Sequence, residues 1–189
     1  MKKFLSKKPV MITFIVLAVL GLALYIGMLA RPVAYGFNYK NIETKGDVTR
    51  TFTINVKNSK KAVQKVLTES SSSTSETEQE IWIYVDGNTV VFVGPTKTIT
   101  EDEYKAEVEA YKKAKKETPE DYKKELENDV KLGRAFKANA FKITIGTGDN
   151  TTEFKCAGST IFAILGGIVE AVLIAGAVST IVFVVRKKK

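Results

Sequence analysis

The segment EIWIYVDGNTVVFVG, residues 80–94, decides how the region around it folds. Asp86-Gly87-Asn88 supplies residues that tolerate the positive φ of a tight turn, and short alternating runs flank it on both sides. The segment therefore reads as a β-hairpin. In its first arm Trp82 and Tyr84 share one face, while Ile81, Ile83 and Val85 share the other. A strand that is apolar on both faces is expected to be central, or to have one face covered. Trp82 and Tyr84 are accordingly a candidate ligand-binding or packing face.

Period-two patterning continues outward from this hairpin. Val33, Tyr35, Phe37 and Tyr39 alternate with smaller or polar residues. Val48, Arg50, Phe52, Ile54 and Val56 alternate with Thr51, Thr53 and Asn55, the arginine being the exception. Both stretches read as half-buried strands. KKAVQKVLTE, residues 60–69, admits a helical turn through Val63, Val66 and Leu67, but its β-branched content and its surroundings favour a strand. SSSSTSETE, residues 70–78, reads as a flexible polar loop. Downstream, FKITIGTGDNTTEFKC, residues 141–156, forms another hairpin that turns through residues 146–150. The apolar phase switches between Phe136, Ala138 and Ala140 on one side and Phe141, Ile143 and Ile145 on the other. That switch predicts a bulge or strand break over residues 139–141.

One stretch departs from this pattern. Over residues 99–133, Thr100 with Glu103 makes a capping box, and Tyr104, Val108 and Tyr111 form a helical stripe. Thr118 then caps a second helix with Pro119 at its first position, and Gly133 ends it. Tyr122, Leu126 and Val130 form the narrow apolar stripe of that helix. Glu101–Lys105, Glu109–Lys113, Glu120–Lys124 and Glu127–Lys131 have the favourable i,i+4 order. A solvated helical hairpin, residues 100–132, is thus inserted between strands, as a solubilising element or a partner-binding arm.

IYVDGNTVVFVG and FKITIGTGDNTTEFKC together resemble the meander hairpins of small bacterial lipocalin-like domains. The resemblance covers much of the middle region. It implies an antiparallel meander barrel or sandwich, with an interior that either holds a ligand or is packed. The helical insertion and the flanking apolar runs depart from the simple form of such domains.

Those apolar runs lie at the two ends. Residues 9–30, PVMITFIVLAVLGLALYIGMLA, carry no charge, and at about 1.5 Å per residue they make roughly 33 Å of helix, enough for a hydrocarbon core of about 30 Å. Residues 160–185 are interrupted by one charge, Glu170. Two transmembrane helices are expected. A cleaved signal peptide is the alternative for the first run, but its apolar core is long and Met28-Leu29-Ala30 is a poor cleavage site. The net charge is +8, yet the excess sits in two tails, residues 1–8 and 186–189. Basic flanks remain cytoplasmic. The expected location is therefore the plasma membrane, with both termini inside and residues 31–159 forming an extracytoplasmic domain.

Glu170 is costly near the bilayer centre, about 2.5–3.5 kcal/mol on insertion scales. Ala163, Gly167, Ala171, Ala175 and Ser179 recur every four residues beside it, a ridge of small side chains suited to close helix packing. Glu170 is thus expected in a helix–helix seam, within a homo-oligomer or against another membrane protein. An ion path and an incidental residue are the alternatives. Antiparallel packing of the two spans would place Leu20 and Gly21 opposite it.

Histidine is absent, and Cys156 is the single cysteine. That composition removes the usual general base, the usual metal ligands and any internal disulfide. Cys156 is expected to face the core, with an intermolecular disulfide as the alternative. Residues 31–159 are close to neutral, so no basic groove for nucleic acid is expected. No catalytic residue, cofactor or metal is assigned, and enzymatic activity is not expected. The predicted role is that of a membrane-anchored binding, sensing or envelope interaction module. The alternative is an oligomeric transport or channel accessory component that uses Glu170.

Overall fold

The structure is a computed structural model that describes residues 8–186. Lys2, Lys3 and Lys7, and residues 187–189, on which the cytoplasmic-tail reading rests, lie outside the described residues. The chain divides into two compact units, Pro32–Ser159 and a unit made from the two terminal segments.

The first unit is a closed antiparallel barrel. Its eight strands are β1 (Asn38–Lys45), β2 (Val48–Val56), β3 (Lys61–Glu69), β4 (Thr74–Asp86), β5 (Thr89–Pro95), β6 (Ala135–Ala138), β7 (Lys142–Ile145) and β8 (Thr152–Lys155). Each strand pairs with the next, and β8 returns to β1. The meander is therefore a barrel and not a sandwich. Alternation sets the interior: Tyr39, Ile54, Val56, Ala62, Ile83, Val90, Phe136, Ile143 and Phe154 form one buried cluster. Burying each large side chain of this kind stabilises by about 1.5–3 kcal/mol. Beside the segment that leads into β1, the Tyr39 hydroxyl accepts from the Ala34 N–H at 2.6 Å and donates to the Asn139 carbonyl at 3.1 Å.

The hairpin of residues 80–94 forms as read. Gly87 takes φ 58° and carries the turn, while no non-glycine residue has positive φ among the described residues. The ladder shifts register between Trp82 and Ile83, which pair with Gly94 and Phe92 respectively. The bulge at Val93 keeps Ile83 and Phe92 directed inward and leaves Gly94 beside Trp82.

Several sequence expectations need correction. No strand covers residues 33–37; β1 starts at Asn38. Gly36, at φ 80°, turns the chain there, and Val33 and Ala34 reach the core from irregular backbone. The polar segment of residues 70–78 is largely ordered. Ser70 and Ser73 make a tight turn, and β4 begins at Thr74, paired with β3 from Thr74 to Trp82. Ladder hydrogen bonds there override a composition that lacks apolar side chains. The strand break expected over residues 139–141 is present and takes the form of a chain reversal: Asn139 Oδ1 accepts from the N–H groups of Phe141 and Lys142, both at 2.9 Å, and β6 pairs antiparallel with β7.

The inserted helices are α1 (Glu101–Glu117) and α2 (Pro119–Lys131). The Thr100–Glu103 capping box is present. Thr118 occupies the N-cap position of α2, but its hydroxyl turns back to the Ala114 carbonyl at 3.1 Å. Of the four expected i,i+4 pairs, Glu101–Lys105 forms at 3.6 Å. Glu109 instead meets Lys112, and Asp121 meets Lys124, each three residues on.

The second unit holds two apolar helices, αN (Lys8–Leu29) and, from Thr160 onward, αC (Ala157–Arg186). Within αC, Ala157–Ser179 (23 residues) is long and apolar enough to cross a membrane, with a mean hydropathy of 2.4 over its most apolar 18 residues. In αN the apolar stretch, Ile15–Gly27, is shorter. Where the sequence predicts two spans, the described residues contain one helix that meets the length and composition of a span.

Candidate functional site

The Trp82–Tyr84 face is covered by the helical hairpin. Trp82 stacks on Tyr104 with ring centroids 4.7 Å apart, and Tyr84 stacks on Tyr111 at 5.3 Å. The indole N–H donates to the Ile99 carbonyl at 2.9 Å, and the Tyr104 hydroxyl donates to the Ile83 carbonyl at 3.2 Å. Below them Val91, Tyr122, Leu126, Val130 and Ala135 make a second buried cluster. The turn residue Asp86 ties the hairpin down, accepting from Lys115 Nζ at 2.5 Å and from the Tyr122 hydroxyl at 2.8 Å. Burial, reinforced by the Asp86 hydrogen bond, pushes the Tyr122 phenol up; burial and the Asp129 charge push Tyr111 up to about 12. Trp82 and Tyr84 are therefore packing residues, which is why β4 is apolar on both faces.

In the helical pair, the side of αC turned to αN carries Ala163, Gly166, Gly167 and Glu170. The Tyr25 ring lies against Gly166 and Gly167. Glu170 is 5% exposed, and its Oε2 lies so close over Gly21 that a Cβ there would collide with it. Its Oε1 is buried with no hydrogen-bond partner. Ala171, Ala175 and Ser179 are exposed, although the sequence places them on one ridge with Ala163 and Gly167. Each four-residue step rotates about 40° beyond a full turn, so the row drifts off the contact face after two steps. Gly21, Leu24, Tyr25, Leu165, Val169 and Leu173 line an open apolar groove of about 380 Å³ beside Glu170.

A third surface escaped the sequence reading. The barrel closes through one register pair, Lys40 with Lys155, and beyond it β1 continues to Lys45 along β2 alone. The Asn41 amide bridges the parting strands by donating to the Glu153 carbonyl at 3.0 Å. Asn38, Lys40, Ile42, Glu153 and Lys155 line a groove of about 650 Å³ at this opening. The one available sequence signal was Ile42, an apolar residue out of phase with inward-facing Tyr39. Cys156 is fully buried in the core, where its thiol meets the Ser159 hydroxyl at 3.3 Å.

Fold and surfaces together define a closed eight-stranded meander barrel, capped on one flank by a helical hairpin, in a chain that also carries a span-length apolar helix. No family model, curated protein or solved structure matches the chain.

Proposed function

We propose that this chain is a membrane-anchored interaction module, in which αC and αN both cross the bilayer and hold the barrel on the extracytoplasmic side. The observation that carries the reading is exposure of large apolar side chains around both helices, with Leu24 75% and Val172 66% exposed. Side chains of this kind need lipid or another protein around them. The basic tails set the orientation through the positive-inside bias. With a buried apolar cluster packed inside the barrel and Trp82 and Tyr84 covered, binding or sensing falls to the outer surface of the barrel.

Impermeant thiol labelling tests the topology. On a Cys156→Ala background, Ser71→Cys is expected to label in intact cells and Lys188→Cys only after permeabilisation. The reverse pattern, or recovery of the full chain from a detergent-free supernatant, overturns the reading.

A second reading, a transport or channel accessory subunit, is favoured by the unpartnered Glu170 Oε1. Intramembrane carboxylates of this kind mark ion or proton routes in other proteins. In proteoliposomes, Glu170→Gln is expected to abolish any ion flux that the wild-type chain supports; unchanged flux removes this reading.

A further inference from the structure

The open edge of β1 differs from every other part of the barrel wall. Residues 41–45 give roughly 17 Å of strand, paired with β2 on one side and with nothing regular on the other. An unpaired strand edge presents backbone N–H and C=O groups that another extended segment satisfies. Asn41 already uses its amide in place of a ladder bond, and its Oδ1 is left buried without a partner. That atom accepts hydrogen bonds, so the opening lacks a donor.

The charges around the opening are as informative as its backbone. Lys40 and Lys155 stand directly opposite each other across the seam, an arrangement that destabilises a sheet unless an anion lies between them. Neither takes part in an ion pair among the described residues; neighbouring Glu153 feels the Lys155 charge but is held by Lys142. Ile42, 64% exposed, lies two residues along the same face as Lys40. Glu43 belongs to the opposite face, where it stands across from Arg50. A second copy of this chain is a poor occupant, because full antiparallel overlap of residues 41–45 sets Glu43 against Glu43.

We propose that the β1 edge between Lys40 and Lys45 is a strand-addition site for an extended segment of another protein. The segment carries a carboxylate and, two residues away on the same face, an apolar side chain. The carboxylate meets Lys40 and Lys155, the apolar group covers Ile42, and backbone N–H groups complete the ladder and reach Asn41 Oδ1. This inference rests on the interaction-module reading and names the surface and the partner chemistry.

The test uses the full chain in nanodiscs and two synthetic peptides. In one, Glu and Val alternate on one face with Thr on the other; in its counterpart Lys replaces Glu. At ten times its dissociation constant, the Glu peptide is expected to slow amide exchange at Ile42 to Thr44 about tenfold, and the Lys peptide to leave it unchanged. Lys40→Glu combined with Lys155→Glu is expected to exchange the two preferences. Ile42→Thr, at an exposed position, is expected to weaken binding while the barrel stays folded. Absence of protection at residues 41–45, or equal protection by both peptides, overturns the proposal. Thiol labelling is independent of these peptides: peptide failure leaves the anchored topology standing, and labelling failure leaves the edge pairing intact.

Discussion

Tyr104 lies flat against Trp82, its ring centroid 4.7 Å away and its plane within 17°, and its hydroxyl also reaches the Ile83 carbonyl of the same strand. One helical side chain thus covers the outer face of β4 and caps a backbone acceptor beside the bulge. The helical hairpin is a structural lid on the barrel wall.

If that is its role, cutting Tyr104 back to alanine removes a large buried aromatic and is expected to cost about 3–5 kcal/mol. Tyr104→Phe keeps the stack and loses one hydrogen bond, about 0.5–1.5 kcal/mol. Trp82 is the sole tryptophan, so its fluorescence reports unfolding of this region directly. Equal, small losses for both variants would mean that the hairpin does not hold the wall.

Alkaline pH supplies a second test, inside the barrel. Burial pushes the Tyr39 phenol up to about 12 from 10, although the hydrogen bond from Ala34 pulls it the other way. A raised folded-state value favours the neutral form in the native protein. The stability from this group is therefore complete below pH 10 and is lost as pH rises through about 12. Tyr39→Phe is expected to be less stable at neutral pH, having lost both hydrogen bonds, but to show a smaller further loss between pH 10 and 12. Chemical denaturation across that range, with tyrosinate absorbance recorded in parallel, checks the sign.

In the helical pair the close approach of Gly21 to Glu170 makes a pairwise prediction. A methyl group at Gly21 collides with the end of the Glu170 side chain, not with backbone, so Gly21→Ala is expected to displace the carboxylate. Glu170→Ala should relieve that clash. The double variant is therefore expected to be more stable than the sum of the single changes, with a coupling of about 0.5–3 kcal/mol. Thermal melting in nanodiscs measures it, and additive effects would show that the helices do not meet at this depth.

Much of the barrel is legible in the sequence, because a pleated strand with one buried face writes a period of two into the chain. The hairpin at Gly87, the capping box at Thr100 and the switch at Asn139 are local signals of that kind, since each depends on residues close in sequence. Elements without a local signature were misread. Thr74 to Glu78 lacks apolar side chains and becomes strand because β3 lies beside it. Residues 33–37 alternate yet stay irregular, because Gly36 turns the chain before β1.

The chain by itself determined the strand-rich centre, the two apolar runs, the helical pair and the oddity of Glu170, since burial pattern and local propensity are properties of neighbouring residues. Only the tertiary structure decided closure into a barrel, the covering of Trp82 and Tyr84, the drift of Ala171, Ala175 and Ser179 off the contact face, and the opening between Lys40 and Lys155. Each of these depends on which distant segments come together. The seam between β1 and β8 joins residues more than a hundred positions apart, and no local pattern encodes how many of their hydrogen bonds will form.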